Sequence, residues 1–105
     1  MGITLRLTRI ITEMVVVGIK KLDEFKRRYA HVCSSVDSWL AEAKEASWRT
    51  PQDVKQRYAS ASFLKDNHVV FNLKGNQYRL KVKIDYPGQL LLIVGIGTHQ
   101  EYMNW

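Results

Sequence analysis

The sequence predicts an α+β domain in which an N-terminal strand and helices pack on one face of an antiparallel sheet. Helical periodicities occupy residues 20–58, and stretches typical of strands occupy residues 68–97. A length of 105 residues fits one domain, and 46% hydrophobic residues are enough to form a core. The helices must bury their apolar stripes, and the apolar side of the sheet is the surface available to them.

Two strands are predicted before the helices. Residues 3–8 alternate apolar and polar side chains, whereas residues 14–19 are β-branched and predict a more buried strand. Met14 is also a candidate translation start. We therefore divide the chain into an N-terminal extension at residues 1–13 and a single domain at residues 14–105. The extension either pairs with the sheet and narrows its groove, or is an artefact of start assignment.

Three helices are predicted next. Residues 20–32 carry an apolar stripe, and Ser34 with Asp37 is a capping-box pattern that predicts a second helix ending near Trp48. Thr50-Pro51-Gln52-Asp53 predicts a third, short helix to about Tyr58, because Thr caps, Pro suits the first turn and Asp suits its positive end. Residues 60–67 are predicted to be a linker.

The centre of the sequence is a predicted β-hairpin closed by Gly75-Asn76. This turn pairs Leu73 with Tyr78 and sorts the side chains onto two faces. One face is apolar or aromatic and comprises Val69, Phe71, Leu73, Tyr78, Leu80, Val82 and Ile84. The other face is polar except for Val70 and comprises His68, Asn72, Lys74, Gln77, Arg79, Lys81 and Lys83.

Four cations on one strand face, with no carboxylate before Asp85, predict an anionic partner, because like charges on neighbouring strands repel. The formal net charge of +6 agrees with such a partner. We interpret this face as a platform for a nucleic-acid phosphate backbone. The alternative is the ordinary solvated face of an antiparallel sheet, whose lysines prevent edge-to-edge aggregation.

Residues 90–97 are nearly continuously apolar and predict a central strand buried on both faces. Antiparallel pairing across Pro87-Gly88 brings Gly97 level with Tyr78 and Thr98 level with Gln77. The residues that this pairing gathers are His99, Tyr102, Arg79, Asn72 and Lys74. The alternative is that His99 bonds the backbone and Tyr102 only packs.

This group of side chains suits metal-free RNA cleavage. Arg79 and Lys74 hold a phosphate, and His99 or Tyr102 moves a proton. The ribose 2′-hydroxyl attacks the adjacent phosphorus, so DNA should be inert. The sequence has no glycine-rich phosphate loop and no metal-ligand spacing, and its single cysteine, Cys33, excludes an internal disulfide. We expect no cofactor and no metal.

Three segments resemble the HigB toxins of the RelE/ParE-like superfamily of type II toxin–antitoxin systems. They are Trp48-Arg-Thr-Pro-Gln-Asp-Val-Lys55, Val70-Phe-Asn-Leu-Lys-Gly-Asn-Gln-Tyr-Arg-Leu80 and Gly97-Thr-His-Gln-Glu-Tyr102. The resemblance spans residues 14–102. It implies a RelE-like α+β fold, mRNA cleavage that is typically on the translating ribosome, and neutralisation by a helix-turn-helix antitoxin, HigA. Arg79 is similar to the family's hairpin arginine, and His99 takes the place of its C-terminal cation.

The resulting hypothesis is a cytoplasmic toxin that cleaves mRNA. The expected catalytic residues are Arg79, His99, Tyr102 and Lys74, and the expected RNA-binding residues are Asn72, Asn76, Lys81, Lys83 and His68. The alternatives are a non-catalytic RNA-binding module, a gyrase-directed toxin of the ParE type and an inactive relic. No membrane segment is predicted. The basic helix at residues 20–28 either meets an acidic antitoxin or is solvated.

Overall fold

The computed structural model describes residues 13–105, so the strand predicted at residues 3–8 lies outside the described residues. The elements are, in chain order, β1 (Val15–Val17), α1 (Ile19–Arg28), a 3-10 turn (Ala30–Val32), α2 (Cys33–Glu45), α3 (Pro51–Arg57), β2 (Ser62–Phe63), β3 (His68–Leu73), β4 (Tyr78–Asp85), β5 (Leu90–Thr98) and α4 (His99–Tyr102). The predicted α+β class is confirmed. Within residues 13–105, no helix combines the length and apolar character needed to cross a bilayer.

The described strands form one sheet in the order β1-β5-β4-β3-β2. β3, β4 and β5 are the predicted antiparallel meander, but β1 runs parallel to β5, so the sheet is mixed. The linker predicted at residues 60–67 was wrong in part. It contains β2, which pairs with the edge of β3 at Val69 and Val70.

The hairpin register agrees with the prediction at every pair, from Leu73 opposite Tyr78 to His68 opposite Lys83. Gly75 and Asn76 have φ angles of 55° and 72°. The Gln77 amide donates to the Lys74 carbonyl over 3.3 Å across these two left-handed residues, a conformation that Gly and Asn adopt at little cost. Lys74 before them is also left-handed, with a φ of 48°. The local turn chemistry therefore sets the register of β3 against β4.

The apolar side of the sheet, here the inner face, packs against the helices as predicted. Its buried strand residues are Val69, Phe71, Leu73, Tyr78, Leu80, Val82, Ile84, Leu91 and Ile93. The helices contribute Leu22, Phe25, Val36, Trp39, Ala43 and Val54 to the same cluster. Because one cluster contains both sets, the domain has a single core in its described part.

The predicted boundaries of the first two helices were wrong. α1 ends at Arg28, and α2 continues directly from the 3-10 turn at Cys33 and ends at Glu45. Ser34 is therefore inside the helix and not its cap. Asp37 instead accepts a 2.7 Å bond from Lys26 Nζ, which ties α2 to α1 and raises the pKa of that ammonium.

The predicted start of α3 is confirmed. The Asp53 amide donates to Thr50 Oγ1 over 3.3 Å, and the Thr50 amide donates to Asp53 Oδ2 over 3.2 Å. This reciprocal pair satisfies two of the free amides at the helix start. The Tyr58 hydroxyl then joins the end of α3 to α2 by donating to Glu42 Oε1 over 2.8 Å. Burial is the larger cause, and this hydrogen bond the second, of a raised pKa of the Tyr58 phenol.

The prediction that residues 90–97 are buried on both faces was wrong. Leu91 and Ile93 are buried, whereas Leu90, Leu92 and Val94 are 37–41% exposed. β1 is likewise exposed on the same side, through Val15 and Val17. In the part of the chain that the structure describes, helices cover only the inner face of these strands. One covering layer therefore buries fewer of these side chains than the apolar run predicted.

Candidate RNA-binding site on the open face of the sheet

The side of the sheet opposite the inner face, here the outer face, is divided into two halves. β3 and β4 supply a polar half made of His68, Asn72, Arg79, Lys81 and Lys83, together with the buried Val70. β1 and β5 supply an apolar half made of Val15, Val17, Leu90, Leu92 and Val94. Only the half built from the hairpin has the charge expected of a phosphate-binding surface.

A β-bulge at Val94 sets which residues lie beside the cations. On the side of the bulge nearer the turn between β4 and β5, Val82 faces Ile93, as simple pairing across Pro87-Gly88 requires. On the other side of the bulge, Lys81 faces Gly95 and Arg79 faces Gly97. The predicted register, with Gly97 opposite Tyr78, was therefore wrong by one residue. Because of this shift, two glycines and no branched side chains lie next to Arg79 and Lys81.

Arg79 is held by the hairpin turn. Its Nη1 donates to the Asn76 carbonyl over 2.7 Å and to the Tyr78 carbonyl over 3.3 Å. The guanidinium carbon lies 5.7 Å from the centre of the Tyr102 ring, a cation–π distance. Asn72 faces Arg79 on the neighbouring strand. The structure thus brings together four of the predicted residues.

The cations of this half have no carboxylate partner among residues 13–105, where the ion pairs join only Lys26 to Asp23 and Asp37, and Arg57 to Glu42. The nearby carboxylate of Glu101 is engaged elsewhere, since its Oε1 accepts the Thr98 amide over 2.8 Å. That bond caps α4. The positive charge of Arg79 and Lys81 is therefore available to an external anion.

The other predicted residues lie at both ends of the hairpin. Lys74 is exposed in the hairpin turn, and the His99 amide donates to the Gln77 carbonyl over 2.9 Å, so exposed His99 lies at the same end of the sheet. His68 and Lys83 face each other at the opposite end. Those two residues are separated from Arg79 by the length of the hairpin.

Two predicted side chains are occupied by local bonds. Asn72 Nδ2 donates to the Ser60 carbonyl over 3.1 Å, and His68 Nδ1 bonds the Lys65 carbonyl over 3.0 Å. Both bonds fasten the segment before β3 to the hairpin. The second Nδ2–H and the amide oxygen of Asn72 remain available to a ligand.

Sequence reasoning missed Trp105. Its ring centre lies 5.3 Å from that of Tyr102, with the two planes at 77°, and it contacts the positions of Gly95 and Gly97. A three-residue spacing after Tyr102 is the only local signal for this pair. Sequence reasoning also missed the hydrogen bond of buried Tyr78 with His31 Nε2, which anchors the hairpin to the 3-10 turn.

In the described part of the chain, no three His, Cys, Asp or Glu side chains lie close enough together to hold a metal ion jointly. Groups at this end of the sheet that can act on a ligand include the guanidinium of Arg79, the ammonium groups of Lys74 and Lys81, the exposed imidazole of His99 and the phenol of Tyr102. These groups can bind a phosphate and transfer protons.

Comparison with known families decides the identity of the fold. Residues 33–105 match the HigB_toxin family, described as the RelE-like toxic component of a toxin–antitoxin system. The chain belongs to this family. No match was found among curated proteins. The matched region contains all three segments that resemble HigB toxins in sequence, and membership of a toxin–antitoxin family implies an antitoxin partner for this HigB-type toxin.

Proposed function

We propose that this HigB-type toxin is a metal-free mRNA endoribonuclease acting in the cytoplasm on translated mRNA at the ribosome. The observation that carries the proposal is the position of Arg79, held on the outer face against Tyr102 without a carboxylate partner among residues 13–105. A guanidinium fixed in this way suits a phosphate whose negative charge increases during reaction. We also propose that a helix-turn-helix antitoxin of the HigA type neutralises the toxin.

The proposed reaction uses the RNA's own nucleophile. The ribose O2′ forms a bond to the adjacent phosphorus, and the bond from phosphorus to O5′ breaks. A base removes the O2′ proton and an acid supplies a proton to the leaving O5′. Arg79 and Lys74 stabilise the charged phosphorus centre, His99 and Tyr102 carry the protons, and Asn72 orients the ribose or a base. Flanking nucleotides contact Asn76, Lys81, Lys83 and His68.

Brief induction without the antitoxin is expected to create discrete new 5′ ends within translated mRNAs, mapped by primer extension. An RNA-binding module or an inactive relic gives no new ends. A gyrase-directed toxin gives DNA-damage signalling without mRNA breaks. Purified protein assayed on the same RNA, with and without translating ribosomes, then measures ribosome dependence.

The reaction class is tested on an RNA cleaved at a mapped site. A single 2′-deoxy substitution there should abolish cleavage, because the attacking hydroxyl is missing. The unmodified RNA should yield a 2′,3′-cyclic phosphate, detected by mass spectrometry. A 2′-deoxy substitution one nucleotide away is the matched control and should still be cut. Continued cleavage of the deoxy site would contradict 2′-hydroxyl attack.

Separate substitutions test the proton carriers. We expect His99→Ala or Tyr102→Phe to lower single-turnover cleavage by about 10²–10⁴-fold, the usual contribution of a positioned acid or base. Tyr102→Phe keeps the ring that contacts Arg79 and Trp105, so it removes the hydroxyl without removing the packing. Gln100→Ala, an exposed neighbour in α4, is the control. Unchanged rates in both variants would contradict the proton-transfer assignment.

A further inference from the structure

Trp105 is an exposed aromatic side chain beside the cations of the outer face. Trp105 as a residue is 51% exposed, and its ring makes a near-perpendicular contact with Tyr102, which also contacts the Arg79 guanidinium. With Lys81 and Gly95 it lines a depression of about 320 Å³. An indole so placed has both an open surface and an adjacent positive charge.

The position of Trp105 is built by the backbone around it. Its amide donates to the Tyr102 carbonyl over 3.0 Å, which continues the turn after α4. A Cβ added at Gly97 would lie 3.1 Å from Trp105 Cζ2, too close for ordinary packing, whereas one at Gly95 would lie 3.8 Å from Cη2. The bulge at Val94 turns these two glycines outward, so the same irregularity that clears space beside Arg79 also seats the indole.

Aromatic side chains beside a cationic strand are the elements that single-stranded nucleic acids need, because bases stack on rings while cations hold the backbone. An apolar protein partner would also use an exposed Trp105, together with Met103, which is 67% exposed. The surroundings favour nucleic acid. Lys81 lines the same depression as the indole, and Arg79 lies against Tyr102, the aromatic neighbour of Trp105. Within residues 13–105 neither cation forms an ion pair.

We infer that Trp105 is a base-stacking residue: its exposed ring receives a nucleobase of the RNA strand whose phosphate binds at Arg79 and Lys81. This inference rests on the proposed RNA substrate, but not on cleavage. It assigns Trp105 a binding role, distinct from the phosphate-binding and proton-transfer roles proposed for its neighbours. It also gives Gly97 of β5 a function, which is to leave room for the ring.

The test measures binding of a short, mixed-sequence, fluorescently labelled 2′-O-methyl RNA that cannot be cleaved, by fluorescence anisotropy. Trp105→Ala should weaken binding by about 5- to 150-fold, the effect of losing one stacked base. Trp105→Phe should retain most of the affinity, because it keeps a ring. Met103→Ala is the matched control, an exposed apolar residue in the same turn, and should bind like the unaltered protein.

A second measurement reports stacking directly. Of the three tryptophans, Trp39 and Trp48 are 1% and 6% exposed, so an added RNA can reach only Trp105. The unlabelled 2′-O-methyl RNA should quench the intrinsic tryptophan fluorescence, and Trp105→Phe should bind without that quenching. Thermal unfolding of each variant establishes that it is folded.

Three outcomes would overturn the inference. They are absence of binding by the unaltered protein, equal affinity for Trp105→Ala, and an equal loss for Met103→Ala, which would indicate an apolar protein-binding patch. Failure of the proposed nuclease is distinguishable from these. If the protein binds RNA with quenching but creates no RNA breaks, the proposed nuclease activity is contradicted, whereas the assignment of Trp105 as a stacking residue is supported.

Discussion

Arg79→Ala is expected to lower RNA cleavage by about 10²–10³-fold, the usual effect of removing one group that stabilises charge in a transition state. Its guanidinium is fixed by the Asn76 and Tyr78 carbonyls, which leaves further N–H groups for a phosphate. Single-turnover cleavage of a mapped RNA measures the loss. Growth after induction without antitoxin should recover in parallel.

The expected loss of cleavage in Arg79→Ala comes from weaker stabilisation of the transition state and not from unfolding. Its hydrogen bonds to the turn contribute on the order of 1 kcal/mol of stability, well below the several kcal/mol that unfold a domain. The cleavage rate of Arg79→Lys should fall between those of the unaltered protein and of Arg79→Ala, because an ammonium keeps the charge and loses the planar fork of the guanidinium. Arg27→Ala, an exposed arginine on α1, is the control. A folded Arg79→Ala protein with unaltered cleavage and toxicity would remove the centre of the proposed mechanism.

Phe71→Ala is expected to lower the free energy of unfolding by about 3–5 kcal/mol. Phe71 is 1% exposed on the inner face of β3. Its ring centre lies 5.2–6.1 Å from those of Tyr58, Trp39 and Trp48, so it joins the helices to the sheet. Truncation removes these contacts and leaves a cavity that three large rings cannot readily fill.

Urea denaturation followed by far-ultraviolet circular dichroism measures the change at Phe71. Phe63→Ala is the matched control, because Phe63 is 38% exposed at the sheet edge and should change the free energy of unfolding by roughly 0.5 kcal/mol or less. Equal effects of the two substitutions would contradict the assignment of Phe71 to the core. The Phe71→Ala protein should also be less toxic, but through loss of folded protein, whereas Arg79→Ala should leave the amount of folded protein unchanged.

The hairpin and the start of α3 could be predicted from the sequence because their determinants are local. Gly75 and Asn76 adopt the left-handed conformations of a tight turn, and strand alternation then sorts every side chain of β3 and β4. Thr50 and Asp53 lie three residues apart and satisfy each other's amides. The polar half of the outer face, and hence the candidate residues Arg79 and Lys81, followed from these short-range rules.

The start of α2 shows where a local pattern is misleading. Ser34 and Asp37 have the spacing of a capping box, but the chain enters α2 already in a 3-10 turn. Asp37 bonds Lys26 of the preceding helix instead. A capping residue acts where helical backbone begins, and here the preceding 3-10 turn places that beginning before Ser34.

The arrangement of the site was decided by tertiary structure. Periodicity does not reveal the bulge at Val94, yet this single extra residue places Gly97 beside Arg79 and makes room for Trp105. Nor does an apolar run reveal that, among residues 13–105, only one side of β5 is covered. Turns and caps depend on residues within about four positions, whereas register between β4 and β5 and the covering of a face depend on which distant segments pack together.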